Sequence, residues 1–435
     1  MQQAWRNSEP IEEPQFIAFV GIDWADQKHV WCWQGAGENK REGGDFAARA
    51  GAVETWVAEL RQRFGDGPIA VAVEQTRAAL LWQLSKYAQL HLYLVSPQTS
   101  ANFRKTFYPS GAKDDPRDAD LLLELVLQHR HRLRCWAPDS EATRLVQNLV
   151  EERRKLVDEK TAVLNNLTNR LKLYFPQMLE WFVRLDTSLA CALLQRWPTL
   201  AELQKLSPGK LRTFFHRHHS RQRELIERRI REIHQARPAL TDGAILQAQA
   251  AVVPLLVQVL IKLQEGIAKL DQQMAHAASQ HPDYYLFASF PGAGAVMAPR
   301  LLAALGSQRE RYRSATELQT FSGIAPVIES SGKKKWIHSR WRCPKFLRQS
   351  FHEWAGHSIR FCPWARAFYE LQRGRGKGHH AAVRSLAFKW MRILFRCWQD
   401  HVAYDDNLYL ARLAQRGSGL GPCIAAVKKL CITRG

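Results

Sequence analysis

The sequence lacks the features that define several large classes of protein. Its eight cysteines form no C-x-x-C pair, which argues against a zinc ribbon and a secreted disulfide scaffold and favours buried thiols in a reducing cytosol. It has no apolar signal segment at the N-terminus and no run of the roughly 18 apolar residues that a membrane helix needs. A G-x-x-x-x-G-K-[ST] phosphate loop is also missing. We therefore expect a cytoplasmic protein that neither enters a membrane nor carries a P-loop.

Acidic residues are scarce in the later part of the chain, so its charge is uneven. Residues 1–128 hold 13 Lys and Arg against 17 Asp and Glu, a net charge of −4, whereas residues 129–435 carry a net charge of +25. A strongly basic region in which Trp and His alternate with the cations is typical of nucleic-acid binding. With 435 residues, the chain exceeds what one hydrophobic core usually serves, so we expect several domains.

The first 130 residues have the pattern of a mixed α/β domain. Alternating β-branched and aromatic residues predict strands, and apolar residues at helical spacing predict helices between them. The predicted strands are two within 16–35, one just before Phe46, and then 68–74 and 90–97; the predicted helices are 46–64, 79–89 and 117–130. The resulting order, β-β-β-α-β-α-β-α, is that of ribonuclease-H-like folds.

From Ser140 the period changes to that of a long helix. Leu149, Leu156 and Val163 recur every seven residues, and a second apolar series follows at 150, 157, 164 and 171. The pattern predicts a coiled-coil-like helix, which ends at Phe175-Pro176 because proline cannot continue a helix interior.

Four domains are predicted from these changes in pattern. They are an α/β domain over 1–135, a coiled-coil and helical spacer over 136–282, a mostly helical domain over 283–400 and a peripheral tail over 401–435. Within the spacer, we expect a loose segment over 176–220 and then helices from 220 to about 281, broken near Pro238 and Pro254, which include a partner for the helix over 140–175.

Four carboxylates from distant segments predict a metal site. Asp23 and Glu74 end two predicted strands, and Asp115 and Asp118 lie three residues apart where a helix begins. Carboxylates that gather on one face repel each other unless a cation lies between them, and Mg²⁺ prefers oxygen ligands. Such a set can hold two ions about 3.5–4 Å apart on the attacking and leaving oxygens of a phosphodiester.

Other interpretations of these acids stay open at this point. Asp114 and Asp120 compete with Asp115 and Asp118 for the last two places in the set. Each acid alone is also consistent with a solvated strand end or with a helix-start residue that the helix dipole favours.

A serine pair precedes a basic run in IESSGKKKWIHSRW. Ser330 and Ser331 stand before Gly332, and a serine hydroxyl needs a base, a metal or an electropositive site to act as a nucleophile. The residues that follow predict a nucleic-acid surface: Lys333, Lys334, Lys335, Trp336, His338 and Arg340. The alternative is an ordinary SSG turn beside a phosphate-binding run, with Trp336 and Trp341 in a core.

Two glycine-containing loops are further candidates for binding phosphate. Gly292 and Gly294 in SFPGAGAVMAP predict a helix-hairpin-helix-like turn whose amides face a phosphate. Arg375 and Lys377 belong to the basic loop GRGKGHH between two predicted helices.

Six segments together resemble the DEDD transposases of the insertion sequence one-ten family, the bridge-RNA-guided recombinases of bacterial mobile elements. The segments are GIDWADQKHV, VEQT, KDDPRDADLL, SFPGAGAVMAPRLLAALG, FSGIAPVIESSGKKK and RGKGHHAAVRSLAFKWM. The resemblance covers about the first 130 residues and roughly residues 283–395. It implies a RuvC-like ribonuclease-H fold at the N-terminus, with Asp23, Glu74, Asp115 and Asp118 as the quartet that binds Mg²⁺.

The resemblance also implies a reaction and its partners. A serine of the C-terminal transposase domain attacks DNA and forms a covalent phosphoserine link; this serine is Ser331, with Ser330 as the near alternative. The serine and the quartet of different protomers complete one composite site in a tetramer. A structured bridge RNA pairs with donor and target DNA, so the protein is expected at the bacterial nucleoid.

Two other functions are consistent with the same residues. A RuvC-like nuclease uses the quartet alone to direct water and needs neither serine. A non-catalytic nucleic-acid scaffold uses the acids only as helix caps, so Asp23→Ala and Asp118→Ala leave every activity intact.

Overall fold

The computed structural model describes residues 14–74, 79–107, 114–332 and 334–415. The chain divides into two compact units, Met1–Pro138 and Asp139–Gly435. The first unit is mixed α/β and the second is mostly helical, as the sequence predicts.

The first unit is built around one six-stranded sheet. Its elements in chain order are β1 (Ala18–Asp23), β2 (Lys28–Gly35), β3 (Glu42–Ala47), α1 (Ala52–Phe64), β4 (Ile69–Glu74), α2 (Ala79–Leu84), β5 (Leu90–Val95), α3 (Pro97–Phe107), α4 (Asp115–His129) and β6 (Cys135–Trp136). The strand order across the sheet is β3-β2-β1-β4-β5-β6. The strands β1, β2 and β3 pair antiparallel, and β1, β4 and β5 pair parallel.

The two faces of the sheet are covered by different helices. Val20 and Val71 point to the face that α1 and α2 cover, whereas Phe19 and Ala72 point to the face that α4 covers. Because side chains alternate along a strand, every second residue of β1 and β4 lies under α4.

Gly21 lets α4 lie directly on β1. A Cβ atom at this position would come within 2.1 Å of the Ala119 carbonyl oxygen and 2.3 Å of the Leu123 nitrogen. Any side chain at this position would therefore overlap the helix backbone, and only glycine allows the approach that the structure shows.

The boundaries of two predicted helices in the first unit are wrong, and one helix is missed. The helix predicted over 79–89 ends at Leu84. The helix predicted over 46–64 begins only at Ala52, because Phe46 and Ala47 still belong to β3. The helix α3 was not predicted, although Ser96 caps its start and Pro97 occupies its first turn, where proline is favoured.

In its described residues, the second unit contains fourteen α-helices and one two-stranded hairpin. Its described elements are α5 (Glu141–Tyr174), α6 (Gln177–Trp181), α7 (Ser188–Arg196), α8 (Leu200–Gln204), α9 (Pro208–Arg217), α10 (Arg223–Gln235), α11 (Gly243–Ser279), α12 (Tyr284–Ala288), α13 (Gly294–Leu305), α14 (Ala315–Phe321), β7 (Val327–Ser331), β8 (Lys334–His338), α15 (Lys345–Phe361), α16 (Pro363–Gly374), α17 (His379–Gln399) and α18 (Asp406–Gln415).

The long helices α5 and α11 lie antiparallel against each other. Arg153 forms an ion pair with Asp271, and Arg170 donates a hydrogen bond of 3.0 Å to Gln249. Because the later residue of α5 contacts the earlier residue of α11, the two helices run in opposite directions. The helix α5 begins and ends where the sequence predicts, with the Ser140 side chain accepting a hydrogen bond from the Thr143 amide.

The expectation that the partner helix breaks at Pro254 is wrong. Pro254 lies inside α11, which is 37 residues long and does not break at the proline. Packing of the neighbouring Val253 and Val257 into the core holds the helix together across the proline. By length and composition alone, α11 is also the one described helix that is long and apolar enough to cross a membrane.

The second unit has two hydrophobic cores, one at each end of the α5–α11 pair. The first core is formed by the helices α6 through α10 and the C-terminal part of α5. Residues 176–220 are therefore packed helices rather than the loose segment expected. The second core is formed by the helices α12 through α17, the start of α5 and the end of α11. Tyr404 and Tyr409 pack against this core, so the described part of the predicted tail is not peripheral.

Candidate active site and nucleic-acid interface

Asp23 and Glu74 stand side by side at one edge of the sheet. They are the last residues of the parallel neighbours β1 and β4, whose printed register ends with Ile22 opposite Val73. The next step brings Asp23 opposite Glu74, on strands that lie about 4.8 Å apart. Both residues lie on the sheet face that α4 covers, since side chains alternate along each strand, and both are half-buried.

Asp118 approaches the same edge from the first turn of α4. Its neighbour Ala119 is the residue that contacts Gly21, and Gly21 is two positions before Asp23 on the same face of β1. Asp118 is buried, whereas Asp115, one turn earlier, is exposed. The backbone therefore brings Asp23, Glu74 and Asp118 to one end of one sheet face.

The side chains of these acids do not form a metal-ligand cluster. Among the described residues, no group of three or more His, Cys, Asp or Glu side chains is arranged to hold a metal ion. Asp118 instead contacts Arg104 of α3, with its Oδ1 atom 2.8 Å from Nε and 2.6 Å from Nη2. The chemistry of the three donors fits a hard divalent cation, because such ions prefer carboxylate oxygens.

The two competing acids have different surroundings. Asp120 lies on another side of α4, where its Oδ1 accepts a hydrogen bond of 2.7 Å from Arg41, and Arg41 also contacts Glu124. Asp114 is the exposed residue before α4, and its side chain makes no capping hydrogen bond to the helix.

Ser330 and Ser331 lie at the tip of a two-stranded hairpin. The strands β7 and β8 pair antiparallel, with Ser330 opposite Lys335 and Ser331 opposite Lys334. Gly332 has a φ of 57° in the turn, a conformation that glycine adopts without strain. Both serines are exposed, so the SSG segment is a strand end and a turn together.

The two serines point to opposite faces of the hairpin. Residues that pair across the strands share a face, so Ser331 lies with Lys334 and Trp336, and Ser330 lies with Lys335. A cation directly opposite each hydroxyl provides the electropositive surroundings that a serine nucleophile needs.

The predicted nucleic-acid surface is mostly exposed on this hairpin. Trp336 is 46% exposed and Trp341 is 79% exposed, so the alternative that they belong to a core is wrong. His338 contacts Glu329 at 3.2 Å, and Arg340 is only half-exposed. Lys333 lies outside the described residues.

Two arginines hold the segment that leaves the hairpin. Arg384 of α17 donates a hydrogen bond of 2.7 Å to the Ser339 hydroxyl, and Arg348 of α15 donates one of 3.2 Å to the Arg340 carbonyl. The hairpin therefore projects from a base that two helices fix.

The glycine turn and the basic loop differ in exposure. Gly292 has a φ of 73°, and a Cβ atom there would lie 2.9 Å from the backbone of His357 and Ser358. The turn thus packs closely on α15, while Gly294 begins α13 with open space around it. Arg375 and Lys377 are exposed between α16 and α17, and Lys377 donates a hydrogen bond of 3.0 Å to Ser385.

Sequence reasoning missed four arginines that contact candidate site residues or support the serine hairpin. They are Arg104, Arg41, Arg348 and Arg384. Only Arg104 had a usable signal, because the Ser-Pro pair at 96–97 predicts a helix start that would have placed Arg104 on a helix before the acids. The contacts of the other three depend on tertiary packing.

The chain is similar to known proteins over nearly all of its length. One family model, described as a transposase, matches residues 20–176, and a second, described as "Transposase IS116/IS110/IS902 family", matches residues 284–370. The mini-circle protein of Streptomyces coelicolor that is assigned as the transposase for IS117 is 27% identical over 416 residues, which are 93% of this chain and 99% of that protein.

Two further relatives are proteins of insertion elements. An uncharacterized 43.6 kDa protein of the insertion element IS110 from Streptomyces coelicolor is 27% identical, over 69% of this chain and 74% of its own length. An uncharacterized 42 kDa protein of the insertion element IS900 from Mycobacterium paratuberculosis is 24% identical, over 78% of this chain and 84% of its own length.

The α/β unit with its acidic edge and the helical unit with its basic hairpin belong to a transposase, an enzyme class that cuts and rejoins DNA. More narrowly, the two family models match in order and together span more than half of the chain. The chain is a member of the IS116/IS110/IS902 family of transposases.

Proposed function

We propose that this transposase is an RNA-guided DNA recombinase that works through a covalent phosphoserine intermediate. The observation that supports it most directly is the shared sheet edge of Asp23, Glu74 and Asp118, together with an exposed serine pair among lysines. Carboxylates and an electropositive serine are the two kinds of group that such phosphoryl transfer needs.

In this proposal the first unit is a RuvC-like ribonuclease-H domain, and the α5–α11 pair is a coiled-coil spacer. The strand order, with three antiparallel strands followed by two parallel ones, supports the first assignment. Asp23, Glu74, Asp115 and Asp118 would hold Mg²⁺ or another divalent cation, which would supply positive charge beside the scissile phosphate.

Ser331 is the proposed nucleophile. Its hydroxyl loses a proton as Oγ attacks the scissile phosphorus, the bond from phosphorus to the 3′ oxygen breaks, and that oxygen takes up a proton and leaves as a 3′ hydroxyl. The 3′ hydroxyl of the partner strand then loses its proton as it attacks the phosphoserine, the bond from phosphorus to Oγ breaks, and the serine regains a proton. Each step exchanges one phosphate ester for another, so joining needs no ATP.

Guide RNA and DNA bind mainly through their backbones in this proposal. Base pairing between a bridge RNA and the donor and target DNA carries the sequence specificity, so the protein need only hold phosphates and bases in place. The residues assigned to this surface are Lys333, Lys334, Lys335, Trp336, His338, Arg340, Gly292, Gly294, Arg375 and Lys377. The working form is a tetramer, in which the serine of one protomer meets the quartet of another.

The test of the serine assignment is to trap the covalent adduct on labelled DNA. Wild-type protein and Ser330→Ala are expected to form an adduct that survives denaturation, whereas Ser331→Ala forms none. The two serines are adjacent but face opposite sides of one hairpin, so each variant is the control for the other. An adduct in Ser331→Ala that is absent in Ser330→Ala would reassign the nucleophile.

The same assay separates the recombinase from a nuclease. Cleavage that needs a divalent cation and persists when both serines are replaced by alanine would indicate hydrolysis directed by the quartet alone. RNA guidance is tested by treating the purified complex with ribonuclease, which is expected to abolish adducts at the specific site.

A further inference from the structure

Arg104 forms an ion pair with Asp118, one of the four acids assigned to the cation. Both contacting nitrogens of the guanidinium reach the same carboxylate oxygen, Oδ1, at 2.8 and 2.6 Å. The Asp118 side chain is 8% exposed and the Arg104 side chain is 22% exposed, so little water screens the pair.

A carboxylate buried this deeply needs a compensating positive charge. Removing one partner of a buried ion pair leaves an uncompensated charge that strongly destabilises the folded chain. A divalent cation beside Asp118 would provide such compensation by itself, and it would lie close to the positive charge of Arg104. The two cations therefore repel each other at this site.

We propose that Arg104 is the counter-charge of Asp118 while the site holds no metal, and that it competes with the divalent cation for this carboxylate. Arg104 is thus a positioning residue, which keeps Asp118 in place before the cation binds and weakens the binding of that cation. The inference rests on the proposed function, because it assumes that Asp118 is a metal ligand.

The same helix offers a matched control. Arg41 contacts Asp120 and Glu124 of α4, as Arg104 contacts Asp118, but neither of these two acids belongs to the proposed quartet. Replacing either arginine by glutamine removes one positive charge next to α4 and keeps an amide that can donate a hydrogen bond. Only the Arg104 change removes the charge next to a proposed ligand.

The experiment measures binding of Mn²⁺ alone to the full chain without nucleic acid, from the paramagnetic resonance signal of the free ion. R104Q is expected to bind Mn²⁺ about tenfold more tightly than wild type, which corresponds to about 1.4 kcal/mol. R41Q and the charge-conserving R104K are expected to bind with wild-type affinity. In thermal unfolding, R104Q begins from a lower Tm without metal and gains more from saturating Mn²⁺ than wild type does.

Two outcomes would overturn the proposal, and they are distinguishable. If wild type binds Mn²⁺ and loses it in Asp23→Ala, but R104Q binds no more tightly than wild type, Arg104 does not compete with the cation and the metal site stands. If neither wild type nor R104Q binds Mn²⁺, the metal site of the proposed function fails and this inference fails with it.

Discussion

Gly21 sets the distance between α4 and the sheet, and with it the position of Asp118. A methyl group at this residue would overlap the backbone of α4 at Ala119 and Leu123, neither of which can move without shifting the whole helix. We expect Gly21→Ala to cost about 3 kcal/mol in the free energy of unfolding, the upper end of the usual range for overpacking, because the contacted atoms are backbone. Urea denaturation of the full chain measures this loss.

Gly43 is the control for this substitution. It lies in β3 of the same sheet, where the nearest atom to an added Cβ is the Trp31 carbonyl oxygen at 3.4 Å. Gly43→Ala should therefore leave the free energy of unfolding nearly unchanged. Equal losses in the two variants would show that the close contact at Gly21 is not what determines stability there.

At the scale of elements, Asp139 ties the start of α5 to the segment after α13. Its carboxylate accepts hydrogen bonds from the Ser307 amide at 2.9 Å, from Gln147 at 3.0 Å and from Arg311 at 2.6 Å. Burial opposes the charged form, but the charge and hydrogen bond of Arg311, with those from Ser307 and Gln147, lower the pKa of Asp139 below its ordinary value.

We expect Asp139→Asn to lower the free energy of unfolding by about 3 kcal/mol at neutral pH, because Arg311 then loses its buried partner. A lowered pKa in the folded state adds stability above the ordinary pKa of about 3.9, and that stability is lost as the pH falls through the folded value. The difference between wild type and variant should therefore shrink below about pH 4.

Asp158→Asn is the comparison for this pH dependence. Asp158 is 72% exposed and lies 3.9 Å from Arg154 on the same helix, so its loss should cost less than about 0.5 kcal/mol at any pH. A pH-independent difference for Asp139→Asn would contradict the assignment of the lowered pKa to this cluster.

The elements of the first unit were largely predictable from sequence, and their contacts were not. Alternation and burial in FIAFVGID and IAVAVE predict two strands whose last residues are Asp23 and Glu74, and parallel neighbours end at the same edge. The ion pair of Asp118 with Arg104 depends on how α3 packs against α4, which no local pattern reports. The helix break predicted at Pro254 was wrong for the same reason, since tertiary packing outweighs the local cost of a proline.

At the scale of the whole molecule, the excess positive charge predicts salt-dependent binding of nucleic acid. Lys334 and Lys335 are exposed on the hairpin, on opposite faces. Replacing both by glutamine should reduce the slope of log affinity against log salt by about two on single-stranded or duplex DNA, because each lost phosphate contact removes nearly one released counterion. Fluorescence anisotropy with an oligonucleotide of arbitrary sequence measures this slope.

The matched control for this prediction replaces Lys155 and Lys262 by glutamine. Both are exposed cations of the α5–α11 pair, and each contacts an acid on its own helix, Glu152 and Glu265. The slope should stay near the wild-type value in this variant. If the slope falls as much as in the hairpin variant, the DNA is attracted by the overall positive charge of the protein rather than bound at the hairpin.

The α5–α11 pair also sets the distance between the two hydrophobic cores of the second unit. Between Val150 and Leu167, α5 buries no side chain fully, although Val163 and Leu164, near the end of this stretch, are partly buried against the core that contains Leu167. At 1.5 Å per residue, that stretch fixes a separation of about 25 Å. Removing seven residues from both helices would shorten the span by about 10 Å and preserve the apolar seam, whereas removing four or five would turn one core about the axis relative to the other. A deletion of seven residues from each helix can thus change the distance between the two cores with little change in the angle between them.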